Sequence, residues 1–335
     1  MRVFVTGGSG LLGRHVITAL VRRGDSVVAL SRSTAGDDAL RTIGAEPLRG
    51  DLGEEAVLAR GVERTDAVVH AAGLVLSDGG WPAFLATNVT PTIAVARACA
   101  RAKRRLVHIS SVAAYGRSTT YDGGAGSVSE SFGLDAPVFP GDHYARSKRE
   151  AELAVWQVAD AEGLSAVALR PCVLYGEGDR AFTNRAARLL RRRVAPLIGG
   201  GRNVLSVVYA GNVADAVLGS LDRPQVTGAF NVTNDGAITQ RAFIEQFAAG
   251  LGVKVALLPV PRALAWYGAL AWDATLRLLR PAQSMTLLKT AVQFLASDNP
   301  YLSGKAEREL GWRPATLPAD AARRTGAWFR AHPDA

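Results

Sequence analysis

Arg2-Val-Phe-Val-Thr6-Gly7-Gly8-Ser9-Gly10-Leu11-Leu12-Gly13-Arg14-His15-Val16 is the stretch that decides the fold. A short apolar run enters a loop with four glycines, and apolar residues then recur at Leu11, Leu12, Val16, Ile17, Leu20 and Val21. That order reads as strand, tight turn and helix. Gly7 permits a turn that a side chain would block, Gly10 lets backbone approach a phosphate, and Gly13 lets the helix pack closely on the strand. The helix N-terminus at Leu11 and Leu12 offers unpaired N–H groups and partial positive charge to a pyrophosphate. A strand-to-helix turn also uses glycine for structure alone, so the loop takes its meaning from the strand before it and the helix after it. The spacing here is Gly-x-x-Gly-x-x-Gly. Nucleotide binding is the expectation.

The chain has 335 residues, 48% of them apolar and 21% charged, which fits a globular protein with a large core. Cys99 and Cys172 lie far apart in no metal spacing, so a reduced, cytoplasmic protein is expected. The first apolar segment is the glycine-loop strand itself, which argues against a signal peptide. Net charge is +9, carried mostly by arginine. It reads as a solvated surface, or as attraction to an anionic cofactor or membrane surface. The basic residues are scattered, and the one dense run, Arg191-Arg192-Arg193, lacks interleaved aromatics, so nucleic acid is not expected as a partner.

Strands and helices keep alternating. Ser26–Leu30 reads as a second strand, whose end lies beside the adenosine ribose in a doubly wound sheet. An acid there would bind the ribose 2′-hydroxyl and repel a 2′-phosphate. This chain has Ser31-Arg32-Ser33 instead, an arginine between two hydroxyls that suits a 2′-phosphate. NADP(H) is therefore favoured, with NAD(H) as the alternative. A weak third strand at 46–50 ends at Asp51-Leu52. A fourth, Ala67–His70, runs into Ala71-Ala72-Gly73, small residues that let a flat ligand lie against backbone. A long helix is expected from Trp81 to Arg101, with Asn88 inside it, and a fifth strand from Arg105 to Ile109, ending at Ser110-Ser111. Such repeats imply a parallel sheet with ligand at the strand C-termini.

From 112 to 142 the pattern dissolves, and Tyr121–Ser127 reads as a substrate lid or a surface insertion. His143-Tyr144-Ala145-Arg146-Ser147-Lys148 then opens a helix, with Tyr144 and Lys148 four apart on one face. Ser111, at a neighbouring strand end, can join them. A lysine beside a phenol, with a cationic nicotinamide, favours phenolate and lets tyrosine pass a proton to or from a substrate oxygen. The serine hydroxyl orients that oxygen, and the lysine also binds the nicotinamide ribose. The five histidines show no ligand spacing, so no metal is expected. A sixth strand, 164–169, closes at Arg170-Pro171, and the second half reads as a smaller, mostly helical lobe.

Together these residues resemble an extended short-chain dehydrogenase/reductase. The matching pieces are Thr6–Gly13, Asp51-Leu52, His70-Ala-Ala72, Asn88, Ser110-Ser111 with Tyr115-Gly116, Tyr144-x-x-x-Lys148, and Leu169-Arg-Pro-x-x-x-Tyr-Gly176. Tyr209–Asp215 and Leu310–Pro314 also fit, so the likeness spans nearly the whole chain. It implies Ser111, Tyr144 and Lys148 as catalytic residues. It assigns Asp51 and Leu52 to adenine, and brings Ala71, Ala72, Gly73, Asn88, Ser110, Pro171 and Val173 to the cofactor. Sugar-nucleotide dehydratases carry an Asp-Glu pair where this chain has Val112-Ala113, and epimerases carry Phe-Asn where it has Cys172-Val173. The Leu-Arg-Pro pattern resembles the 3β-hydroxysteroid dehydrogenase and dihydroflavonol reductase branch, which includes 2-alkyl-3-ketoalkanoate reductases.

The fold expected is a Rossmann-type doubly wound parallel sheet over 1–175, with a mostly helical substrate lobe over 176–335 that can return strands to the sheet. The activity expected is NADP(H)-dependent interconversion of a ketone and a secondary alcohol on a small apolar substrate. A sugar-nucleotide epimerase with tightly held NAD and a non-catalytic NADP(H) sensor are the rivals. The aromatic segment 263–280 reads first as a core helix, otherwise as a lid or a peripheral membrane contact. The likeness also implies a homodimer through helices 81–102 and 143–160.

Overall fold

The computed structural model describes residues 1–116, 128–233, 235–279 and 287–333. The first half alternates β1 (Arg2–Thr6), α1 (Leu11–Arg22), β2 (Ser26–Ser31), α2 (Thr34–Thr42), β3 (Ala45–Arg49), α3 (Glu55–Glu63) and β4 (Ala67–His70). Then come α4 (Gly80–Phe84), α5 (Thr90–Ala102), β5 (Arg105–Ile109), α6 (His143–Glu162) and β6 (Ala166–Pro171). The second half holds β7 (Val173–Tyr175), α7 (Phe182–Leu190), β8 (Val194–Ile198), β9 (Val207–Tyr209), α8 (Ala210–Leu221), β10 (Gly228–Val232), α9 (Gln240–Leu251) and β11 (Ala256–Val260). It ends with α10 (Arg262–Leu279), α11 (Leu287–Ala296), α12 (Gly304–Glu309) and α13 (Pro318–Ala331).

Seven strands form one parallel sheet in the order β10-β6-β5-β4-β1-β2-β3. Its central strands are apolar on both faces because helices cover both. Val3 and Val5 face a cluster with Ile17, Val213 and Phe230, whereas Phe4, between them, faces Leu58, Val95 and Val155. The order reverses between β1 and β4, so the crevice for a ligand opens above their C-terminal ends. The halves share this sheet, since β10 pairs with β6.

The long helix expected from Trp81 to Arg101 is present and runs continuously over 80–102, with one irregular turn inside it. This π-type turn, Leu85–Val89, joins α4 to α5 and carries Asn88, and Pro91 stands at the start of α5. Proline is tolerated there because a first-turn N–H has no helical partner. The parallel pair β8 and β11 was not anticipated. Each contains a proline, Pro196 or Pro259, which argues against a strand in a sequence yet is tolerated at a sheet edge.

Helix α10 is not the core helix first expected. Leu264, Tyr267 and Trp272 are 65%, 68% and 55% exposed. Small residues face inward instead: Ala269 packs with Ile198 and Val292, and Ala265 lies against them. The segment Tyr121–Ser127, expected as lid or insertion, lies outside the described residues, as does Arg280.

Candidate active site

The glycine loop closes on itself and on the exit of β4. Gly7 has φ of 74°, and a Cβ there would lie 2.6 Å from the Ala72 nitrogen. A Cβ on Gly13 would fall 2.1 Å from the Gly7 carbonyl oxygen. Both glycines are therefore structural requirements of the turn. Gly10 differs. Its Cβ would meet the Gly7 oxygen alone, at 3.2 Å, and the residue is exposed. It stands at the N-cap of α1 with no side-chain cap. Leu11, half-buried, and Leu12, buried, open the helix behind it. An open cradle at an uncapped helix N-terminus fits a phosphate.

At the expected ribose end the three side chains part. Ser31 is buried, its hydroxyl lying 3.1 Å from the Ser33 carbonyl and against the Asp37 carboxylate. Hydrogen bonding from Ser31, and then from Arg49, holds the Asp37 carboxyl below its ordinary range. The Ser33 hydroxyl accepts the Gly36 N–H at 3.1 Å and caps α2. Arg32 extends outward, 79% exposed, with Nη1 4.0 Å from Asp51. Asp51 in turn accepts the Gly53 N–H at 3.0 Å, and Leu52 beside it is half-buried. The structure thus brings Arg32 and the Asp51 turn together and turns the Ser31 hydroxyl inward.

The catalytic candidates converge. Ser111 follows β5, its hydroxyl accepts the Ala113 N–H at 3.1 Å, and it lies near enough to the Tyr144 phenol to influence its titration. Asp142 caps α6 at the Ala145 N–H, which places Tyr144 in the first turn. One turn on, Lys148 Nζ donates to the Ile109 carbonyl at 2.8 Å. Burial pushes the lysine down to about 8, against the opposing pull of Glu152. Burial also raises the Tyr144 phenol, Ser111 opposes that rise, and Asp142 adds to it. The protein alone therefore keeps Tyr144 a neutral acid: desolvation dominates, and the expected lowering by Lys148 is not among the influences on the phenol.

Smaller groups complete the wall. Asn88 accepts the Leu74 N–H at 2.6 Å, donates to the Leu74 carbonyl at 2.9 Å, and donates to Ser147 Oγ at 2.8 Å. It thereby ties the β4 exit to α6. A Cβ on Gly73 would lie 3.2 Å from Lys148 Nζ, so this glycine keeps the space beside the lysine open. Ala71 and Ala72 are half-buried, Pro171 closes β6, and Val173 opens β7. The sequence reading missed the layer behind. His70 is held between Thr6 and Thr92 hydroxyls at 2.8 and 2.9 Å, and stacks on His108 at 5.8 Å. Glu152, one turn past Lys148, pairs with Arg170 and receives the Ser110 hydroxyl. The available signal was the spacing of Tyr144, Lys148 and Glu152 along one helix face.

A family model described as the NAD dependent epimerase/dehydratase family matches residues 3–234. The chain belongs to that family. It is an NAD(P)-dependent oxidoreductase of the extended short-chain dehydrogenase/reductase type. It is 33% identical over 319 residues to a 4-hydroxy-2-methyl-3-oxo-4-farnesyl-3,4-dihydroquinoline-1-oxide ketoreductase of Stigmatella aurantiaca, covering 93% of this chain and 92% of that one. It is 28% identical to a 2-alkyl-3-oxoalkanoate reductase of Stenotrophomonas maltophilia, covering 98% and 99%. Among solved structures, a dTDP-glucose 4,6-dehydratase of Streptomyces venezuelae with NAD bound superposes with TM-score 0.72 at 25% identity, covering 99% of this chain and 97% of that one. Among the described residues, no helix is long and apolar enough to cross a membrane.

Proposed function

We propose that this family member is an NADP(H)-dependent reductase that interconverts a ketone and a secondary alcohol on an apolar substrate. The observation that carries the reading is the placement of Tyr144 and Lys148 on successive turns of α6, with buried Lys148 Nζ on the Ile109 carbonyl two residues before Ser111. A nicotinamide held in the cleft would supply the hydride for the carbonyl carbon. Tyr144 donates its proton to the carbonyl oxygen as that oxygen gains charge, so ketone becomes alcohol. Ser111 holds the oxygen in line, and Lys148 offsets the phenolate left behind. Gly10 and the start of α1 would hold the pyrophosphate, with Arg32 toward a 2′-phosphate. Two relatives whose names specify ketone reduction support an apolar ketone over a sugar nucleotide.

Purified protein should release no stoichiometric NAD on denaturation and should bind NADPH more tightly than NADH. It should then oxidise NADPH in the presence of a 2-alkyl-3-oxoalkanoate. Retained NAD with no turnover of that ketone would overturn the reading in favour of an epimerase. NADPH binding without turnover of any ketone would favour a sensor.

The proposal extends to two partners. The exposed aromatics of α10 suit peripheral contact with a membrane surface, which flotation with anionic vesicles tests. The adjacent helices α5 and α6 suit a homodimer, which the mass of the protein in solution tests.

A further inference from the structure

Behind the reacting groups lies a buried ion pair with no part in the chemistry above. The Glu152 side chain is fully buried. Its carboxylate accepts from Ser110 Oγ at 2.5 Å, from Arg170 Nε at 3.0 and 3.1 Å, from Arg170 Nη2 at 2.5 Å, and from Trp156 Nε1 at 3.2 Å. Arg170 comes from the end of β6 and lies 4.6 Å from the Tyr115 ring. The Tyr115 hydroxyl donates to Asn231 on β10 at 2.7 Å. One carboxylate therefore joins α6, the exit of β5 and the end of β6. Desolvation offsets most of the attraction in such a pair, so net stability is a weak reason for it. Its value lies in the geometry it imposes.

Three successive turns of α6 grip three successive residues of the β5 exit. Tyr144 meets Ser111, Lys148 meets the Ile109 carbonyl, and Glu152 meets the Ser110 hydroxyl. Ser110 is also fixed from the other side, its N–H donating to the Leu169 carbonyl at 2.8 Å. We propose that Glu152 is a positioning residue: with Arg170 it clamps Ser110 and so sets where the next residue, Ser111, meets Tyr144. The inference rests on the Ser111–Tyr144–Lys148 reading above.

The clamp also carries charge to the site. Lys148 is faced by Tyr144 and Glu152 on its own helix, by His70 on β4 and by His108 on β5, with Arg170 of β6 paired to Glu152 and Asp142 acting on Tyr144. Burial keeps both histidines neutral. Glu152 is thus an anion that favours the charged lysine. Neutralising it leaves the Arg170 cation uncompensated, which disfavours charged Lys148 and favours the Tyr144 phenolate. Both effects move titration of the site to lower pH.

Two variants test the clamp, with NADPH and a 2-alkyl-3-oxoalkanoate as substrates and with amide hydrogen exchange on the nucleotide-free chain. Ser110→Ala removes one bond and leaves the ion pair whole. It should lower kcat about tenfold with KM values held within about twofold, the scale of one hydrogen bond to a charged group. It should also speed amide exchange at 110–113 by about tenfold while the rest of the sheet keeps its protection. Glu152→Gln keeps the shape and should move the midpoint of the kcat–pH profile down by about half a unit or more. Unchanged kcat and unchanged exchange in S110A overturn the proposal. So does an E152Q protein whose activity falls only with its folded fraction at an unmoved pH midpoint. Should E152Q fail to fold, S110A decides. Tyr144→Phe run alongside separates the two failures: full turnover there removes the catalytic reading, and exchange at 110–113 still judges the clamp.

Discussion

At the proposed catalytic end of the cleft Asn88, Ser111, Lys148 and Glu152 are buried; at the proposed ribose end Arg32 stands in solvent. Asn88 bonds α6, and Lys148 and Glu152 bond the β5 exit, so none of the three moves without disturbing another segment, while Ser111 caps its own turn at Ala113. Arg32 reaches Asp51 across 4.0 Å with most of its surface free. The difference teaches where this fold invests its geometry. Proton transfer needs groups aligned before the substrate arrives, and burial supplies that alignment. Preference between two coenzymes that differ by one phosphate needs only a charge nearby, and an exposed charge is screened and easily exchanged.

The largest effect that this contrast predicts is at Tyr144. Tyr144→Phe should lower kcat by roughly 10²–10⁴-fold, the range of a lost general acid. Its NADPH dissociation constant should stay within about twofold, because the phosphate cradle lies elsewhere. A variant keeping more than about a tenth of wild-type turnover would break the contrast at its stronger end. The glycine loop divides the same way. Gly13→Ala sets a Cβ into the Gly7 carbonyl and should cost about 1–3 kcal/mol or more of folding stability by denaturant melting. Gly10→Ala should melt like wild type yet bind NADPH more weakly. Equal losses of stability in both would mean that Gly10 too is structural.

Much of this was legible before any coordinates. Strand, turn and helix at Arg2–Arg22 follow from apolar period and glycine spacing, because the forces there are local. Ser111 follows the end of β5, and Tyr144 and Lys148 share one face of α6, because strand end and helix spacing are local features. What was hidden depends on partners distant in sequence. Glu152 looks like any surface carboxylate of a helix until Arg170 and Ser110 arrive from two strands. The inward turn of Ser31 depends on Asp37, a residue of the next helix. Helix α10 misled because its aromatics were taken for a core face, when alanines make its contact.

A pH titration sharpens the contrast without any substrate. Burial lowers His70 to about 3, with Lys148 adding to the shift, and lowers the neighbouring His108 as well. A pKa depressed on folding contributes stability above the unfolded value of about 6.5 and loses it as pH falls toward the folded one. Each such histidine costs up to about 1.4 kcal/mol per pH unit in that window. The melting temperature should therefore fall steadily from about pH 6.5 to 4.5. His70→Gln should show a shallower fall. Parallel curves for the two proteins would mean that acid acts elsewhere and that the layer behind Lys148 is not sealed.

The smallest effect belongs to the ribose end, and its smallness is the point. Arg32→Ala should weaken NADPH about tenfold, near the upper value of a single exposed charge, and leave NADH within about twofold. The melting temperature should barely change, because the Arg32–Asp51 pair at 4.0 Å is exposed and such pairs contribute little. Ser31→Asp, which the missing acid invites, is a less clean test. Ser31 is buried against Asp37, so a second carboxylate there would repel the first and disturb the start of α2 as well as the coenzyme. Isothermal titration of Arg32→Ala with both coenzymes, at two salt concentrations, decides. A loss confined to NADPH and reduced by added salt marks an exposed phosphate contact. Equal losses for both coenzymes would place Arg32 on the shared adenosine and remove the ground for the proposed NADP(H) preference.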